Sequence, residues 1–200
     1  NLTINTTKSI LSSGASMMRI ENVNVTGAVD PYIALGSERG SHMHLQNVTT
    51  TSHEVYANHG STIHLENTTS KDMSIRSNST IVGDNVTVSH LLLHHAGVAE
   101  LKNLTIDCSS ASSACIYAGG GTTMQLVEAI ITGNGSKPAI DLQGAYLELK
   151  ESTINSTNRE TINVDYSYIS AADNNTIQGT IYCTQNGLGS FDRAHTTSGC

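Results

Sequence analysis

Tryptophan is absent from this 200-residue chain, phenylalanine occurs once and tyrosine seven times, so aromatics make up only 4 % of the sequence. A thick globular core takes much of its buried area from large rings, which makes a conventional layered domain a poor expectation here. Charged residues are also few, at 14 %, and proline occurs twice. There is no basic run, and a formal charge of -7 argues against nucleic acid or an anionic membrane surface as partner, because both require a basic face. No apolar stretch approaches the roughly 18 residues of a membrane-crossing helix. The chain opens at Asn1 without Met or a signal peptide and reads as a processed or excised segment. What is abundant is Ser, Thr, Asn and Gly, a composition suited to repetitive β-structure.

The four cysteines fall into two local pairs, Cys108 with Cys115 and Cys183 with Cys200. Neither has the close spacing of a zinc knuckle, so two short-range structural disulfides and an extracytoplasmic location are expected, with no metal and no cofactor.

Self-similarity organises the rest. The segments MMRIENVNV (17–25), HMHLQNVTT (42–50), TIHLENTTS (62–70), TIVGDNVTV (80–88), VAELKNLTI (98–106), TMQLVEAII (123–131), YLELKESTI (146–154) and ISAADNNTI (169–177) superpose without gaps. Their sixth residues are Asn22, Asn47, Asn67, Asn85, Asn103, Glu128, Glu151 and Asn174. With Asn1 as a partial first member, the repeat averages about 22 residues, the length of one β-helical coil rather than of a helix pair or a propeller blade. Before each anchor the apolar positions are two and four residues away, as in Leu45/Met43 and Leu65/Ile63; after it they are one and three away, as in Val86/Val88 and Leu104/Ile106. Alternate residues of a strand point to opposite faces, so this change of parity means a turn at the anchor. Asn tolerates the left-handed backbone such a corner needs, and stacked Asn side chains can hydrogen-bond from rung to rung.

A third strand is read at IAL (33–35), VYA (55–57), MSI (73–75), LLL (91–93), IYA (116–118), IDL (140–142), INV (162–164) and IYC (181–183). From the first residue of each triplet to the next anchor the distances are 14, 12, 12, 12, 12, 11 and 12 residues, nearly constant, so the length variation lies in the connection that follows the anchor. The expected fold is all-β, a right-handed single-stranded parallel β-helix of about nine coils with three short strands each, over 1–183. Residues 184–200 are expected to form a disulfide-tethered tail or cap. A thin apolar column also explains the scarcity of rings.

Chemistry-bearing residues are weighed against this repeat. Eleven Asn-x-Ser/Thr sequons arise mostly because the corner takes Asn and the outward strand position takes Thr. His44 and His64 fall at equivalent outward positions, in a column continuing through Val82, Glu100, Gln125 and Glu148, which reads as a solvated β-face. His90, His94, His95 and His59 read as incidental. Pectate lyase-like enzymes gather carboxylates on adjacent rungs; the nearest approach is Asp141 beside Asn163 and Asp165, flanked by Tyr117 and Tyr182, and it lacks a basic residue in the same column. No catalytic residue is assigned.

The connections free to vary are Gly27 to Tyr32, Asp107 to Cys115, Thr132 to Ala139 and Asn155 to Thr161. The last three belong to consecutive coils and should form a ridge bearing Ser110, Ser113, Asn134, Lys137, Arg159 and Glu160, stiffened by a Cys108–Cys115 bond. The alternative binding face carries Tyr56, Tyr117 and Tyr182, since tyrosine is favoured at contacts.

The coil signature, as in Gly60-Ser-Thr-Ile-His-Leu-Glu-Asn-Thr-Thr and Gly144-Ala-Tyr-Leu-Glu-Leu-Lys-Glu-Ser-Thr-Ile, resembles the passenger domains of Gram-negative autotransporters, most closely the Bartonella type. The resemblance covers nearly the whole chain and is carried by a structural repeat, so it speaks to architecture first. It implies a secreted or surface-displayed virulence factor, an adhesin or a soluble, in some members pro-angiogenic, ligand of a host growth-factor receptor or matrix component, acting as a monomer. A polysaccharide-active β-helix enzyme and a phage tail-spike fragment are the alternatives.

Overall fold

The computed structural model describes residues 2–6, 8–27, 34–50, 54–109, 112–133, 136–157, 160–191 and 196–200. These residues form 23 strands and no helix, arranged in a 13-stranded and a 10-stranded sheet whose pairings are all parallel. Each coil contributes to the first sheet and to the second, and successive coils stack in order within both, so the chain is a parallel β-helix.

The register is the one that the repeat demands over most of its length. Leu45 pairs with Leu65, Leu65 with Gly83, Gly83 with Leu101, Leu101 with Leu126 and Leu126 with Leu149. Their inward neighbours Met43, Ile63, Ile81, Ala99, Met124 and Leu147 are at most 1 % exposed. The second sheet faces them with Leu35, Val55, Met73, Leu91, Ile116, Ile140, Ile162 and Ile181, all fully buried. Each fully buried Leu or Ile is worth about 1.5–3 kcal/mol relative to exposure, so the apolar column supplies the main favourable term of the fold. Gly83 is the gap in this column: a Cβ there would lie 2.9 Å from Val86 Cγ2 and 3.0 Å from Leu101 Cδ2. Neighbouring side chains have closed over the missing one.

The anchors turn as expected. Asn22, Asn47, Asn67, Asn85, Asn103 and Asn174 have φ between 48° and 55°, and Glu128 and Glu151 adopt the same left-handed conformation at 55° and 51°. Asn47 Nδ2 donates to Asn22 Oδ1 (2.9 Å), Asn67 to Asn47 (3.0 Å) and Asn85 to Asn67 (2.8 Å). At the next rung Asn103 turns aside and donates to Asp84 Oδ1 at 2.8 Å, where the ladder ends. In the N-terminal coils the ladder pairing resumes directly after the anchor, so Met17–Thr26 and Val98–Asp107 are single strands with a corner inside them. Farther on the corner separates Thr123–Val127 from Ile130–Thr132.

A second left-handed corner, not foreseen from the repeat, lies where the chain passes from a second-sheet strand to the next first-sheet strand. It uses two consecutive residues at Arg39–Gly40, His59–Gly60, Ser77–Asn78, His95–Ala96 and Gly120–Gly121. A buried hydroxyl follows: Ser41 Oγ donates to the Ser12 carbonyl (2.7 Å) and Ser61 Oγ to the Ser37 carbonyl (2.6 Å), satisfying backbone oxygens inside the turn.

Three expectations are revised. In the first complete coil Leu35, rather than Ile33, pairs with Val55, so the inward pair is Leu35 and Ser37. Counted from Leu35 the distance to Asn47 is 12 residues, and the outlying value of 14 disappears. The segment 169–177 does not superpose without a gap: Tyr146 pairs with Tyr168 and Leu147 with Ile169, and a bulge between Glu148 and Lys150 brings Lys150 opposite Asp173. The extra residue brings the spacing from Ile162 to Asn174 to 12 residues, although the turn before Tyr168, like the one before Tyr146, is one residue shorter than the turn at Gly120–Gly121. Finally, the tail beyond Cys183 is tied back by the Cys183–Cys200 disulfide but also adds a strand to each sheet: Leu188–Phe191 pairs with Tyr168–Asp173 and Thr196–Ser198 with Thr180–Thr184.

Candidate functional surfaces

The three variable connections leave and re-enter the column in register. Asp107 pairs with Thr132 and Thr132 with Asn155; the Cys108 amide donates to the Thr132 carbonyl (3.0 Å) and the Gly133 amide to the Asn155 carbonyl (2.8 Å). On the return side the Ile116 amide donates to Ala139 O (3.0 Å) and the Ala139 amide to Thr161 O (2.8 Å). The stems therefore stack as one wall. The Cys108–Cys115 disulfide closes the first of them, with Cα atoms 5.4 Å apart and both cysteines buried. At its base the Ser109 amide donates to Asp107 Oδ1 at 3.0 Å, and this bond holds the Asp107 carboxyl below the ordinary range. Of the ridge residues, Ser113, Lys137 and Glu160 are exposed, whereas Ser110, Asn134 and Arg159 lie outside the described residues, as do residues 28–33 of the first variable connection.

The face of the second sheet holds the expected tyrosines in one column, but Tyr56 and Tyr117 are three rungs apart, with Ser74 and Leu92 between them, and Tyr182 lies farther on. All three are half-buried. The guanidinium of Arg76 lies 5.8 Å from the centre of the Tyr56 ring, and the His94 ring lies 5.0 Å from that of Tyr117, whose hydroxyl donates to Gln143 Oε1 (3.1 Å). Burial, then the Glu38 charge, raises the Tyr56 phenol; burial, then Arg76 and His95, lowers the His94 imidazole. Beside this column Glu54, Asp72 and His90 are in register, with His90 Nδ1 2.8 Å from Asp72 Oδ1. Burial raises the Glu54 carboxyl against the opposing effects of the Ser74 hydroxyl and Arg76.

The column nearest to an acidic enzyme site is occupied by internal hydrogen bonds: Asn163 Nδ2 donates to Asp141 Oδ1 (2.9 Å), Gln143 Nε2 to Asp141 Oδ2 (3.3 Å) and Thr184 Oγ1 to Asp165 Oδ1 (3.1 Å). His44 and His64 pair in register on the first sheet, and the column runs on through Val82, Glu100, Gln125 and Glu148 as read from the repeat. Among the described residues no group of three or more His, Cys, Asp or Glu side chains is placed to hold a metal ion.

No family model, curated protein or solved structure matches this chain. Function must therefore be argued from its surfaces. Among the described residues no helix is long and apolar enough to cross a membrane.

One surface escaped the reading of the repeat. Tyr146 and Tyr168 are opposite one another on the first sheet, their rings stacked at 5.6 Å and 2°. Leu188 follows in the same column at 61 % exposure, and Tyr166 stands at the preceding corner at 60 %. The signal was present in the outward parity of Tyr146, but the ungapped alignment set it against Ile169 and hid its partner Tyr168.

Proposed function

We propose that this chain is a binding module of the autotransporter-passenger kind, secreted or surface-displayed, that holds a host-cell receptor or matrix component with the loop ridge of three consecutive coils. The observation that carries this reading is the in-register stacking of the three loop stems, with a disulfide closing the longest. Loops whose ends are already fixed lose less entropy when they are immobilised by a partner, so a rigid column is a suitable carrier for a recognition surface. Two disulfides suit an oxidising, extracytoplasmic compartment. The polysaccharide-enzyme alternative is weakened because both Asp141 oxygens accept hydrogen bonds from amide side chains.

The second reading places the partner on Tyr146, Tyr166, Tyr168 and Leu188, where exposed rings and an aliphatic side chain adjoin. The two readings separate in a cell-binding assay with labelled protein. Variants shortened within 109–114 and 133–137 should lose saturable binding to host cells while keeping a β-type circular dichroism spectrum. Tyr146→Ala/Tyr168→Ala and Tyr56→Ala/Tyr117→Ala should retain it. Undiminished binding by a folded loop-shortened variant rules the ridge out.

A further inference from the structure

Away from the loop ridge, the outer face of the first sheet carries a groove of about 730 Å³ spanning four coils, from Met17–Thr26 to Thr80–Val88. It forms where the long outward side chains of His44 and His64 give way in the same column to Val82, beside Gly83. Its volume is within the range of ligand clefts. On one side stand His42 and Met17, the latter 85 % exposed. On the other stand Glu66 and Asp84, in register on adjacent strands.

Charge decides what fits. Arg19, at the end of the groove, forms an ion pair with Glu21 and reaches Gln46 Oε1 at 3.4 Å. Gln46 Nε2 donates to Glu66 Oε2 (2.8 Å) and Asn103 Nδ2 to Asp84 Oδ1 (2.8 Å), which orients both carboxylates without neutralising them. On the next strand Lys102 is turned toward Glu128 at 3.7 Å, and Glu100 adds a further negative charge. Among the described residues neither Glu66 nor Asp84 has an ion-pair partner. An acidic ligand would meet two uncompensated carboxylates, and a wholly apolar one would strip water from them with nothing in return.

We propose that this groove binds a basic peptide segment, with an apolar side chain against Val82 and a Lys or Arg side chain across Glu66 and Asp84.

Fluorescence anisotropy tests this with a short labelled peptide of Lys, Leu and Gly and its counterpart carrying Glu for Lys. The intact protein should bind the Lys peptide saturably at pH 7.4. Glu66→Gln/Asp84→Asn should weaken it about five- to tenfold, the effect of losing two partly exposed ion pairs. The charge-matched control Glu148→Gln/Glu151→Gln should not. All the altered side chains point outward, so an unchanged circular dichroism spectrum is the folding check. Equal binding of the Glu peptide, or undiminished binding by Glu66→Gln/Asp84→Asn, overturns the proposal.

Discussion

Leu65 and His64 are neighbours in sequence on opposite sides of one sheet, and replacing each with Asp should give opposite outcomes. Leu65 is 4 % exposed, between Leu45 and Gly83 in the apolar column. Losing its burial forfeits about 1.5–3 kcal/mol. The new carboxyl would sit among apolar rungs and would take up a proton rather than remain charged; burial of this kind raises a carboxyl by up to about 3–5 pH units, at about 1.4 kcal/mol for each. The total reaches roughly 5 kcal/mol or more near neutrality, comparable to the whole stability of an ordinary domain. Because the folded-state pKa is raised, the folded form holds more protons than the unfolded one in the window between the ordinary and raised values. The defect in Leu65→Asp should therefore shrink as pH falls toward 4. His64→Asp leaves the column untouched and adds one exposed carboxylate beside Glu66 and Asp84, at a cost under about 1 kcal/mol. Urea unfolding followed by far-ultraviolet circular dichroism compares the two midpoints. Coincident midpoints would refute the inward and outward assignment of the entire strand Thr62–Thr69.

Other consequences are equally direct. Gly83→Ala should destabilise by about 1–3 kcal/mol, since its methyl would crowd Val86 and Leu101; a thermal midpoint at or above that of the parent would show that the gap is real empty space. Glu151→Asn should stabilise by up to about 1 kcal/mol, because Asn accepts the left-handed corner more readily than Glu; calorimetry checks the sign. Glu54 has a raised folded-state pKa, so its destabilising effect develops as pH rises through the window above the ordinary carboxyl range. Glu54→Gln should thus be more stable than the parent at pH 7, with the difference lost by pH 4, and a constant difference across that range would contradict the burial of this carboxyl.

Much of the coil was legible because a β-helix repeats its constraints. The parity change at Asn47 or Asn85 has one geometric meaning, a turn, and the positive φ at every described anchor bears that meaning out. The near-constant spacing from triplet to anchor even contained its own error signal: the one value of 14 marked the coil in which Ile33 was chosen instead of Leu35. That choice followed hydrophobicity, which favours Ile33 and Leu35 over Leu35 and Ser37, although Ser37 is fully buried with its hydroxyl beside that of Ser41 at 2.9 Å. The bulge near Lys150 was invisible because an inserted residue and a shortened corner cancel in sequence length.

The amino-acid order by itself determined the repeat, the inward column, the Asn corner and both cysteine pairs, because each depends on residues close in sequence or on a periodicity that many coils share. Tertiary structure alone decided where the ladder breaks at Asp84, which tyrosines stack, and how Arg19, Gln46, Glu66 and Asp84 meet across a groove. Outward side chains carry no packing constraint that would write itself into the repeat, so their neighbours become known only when the rungs are set side by side.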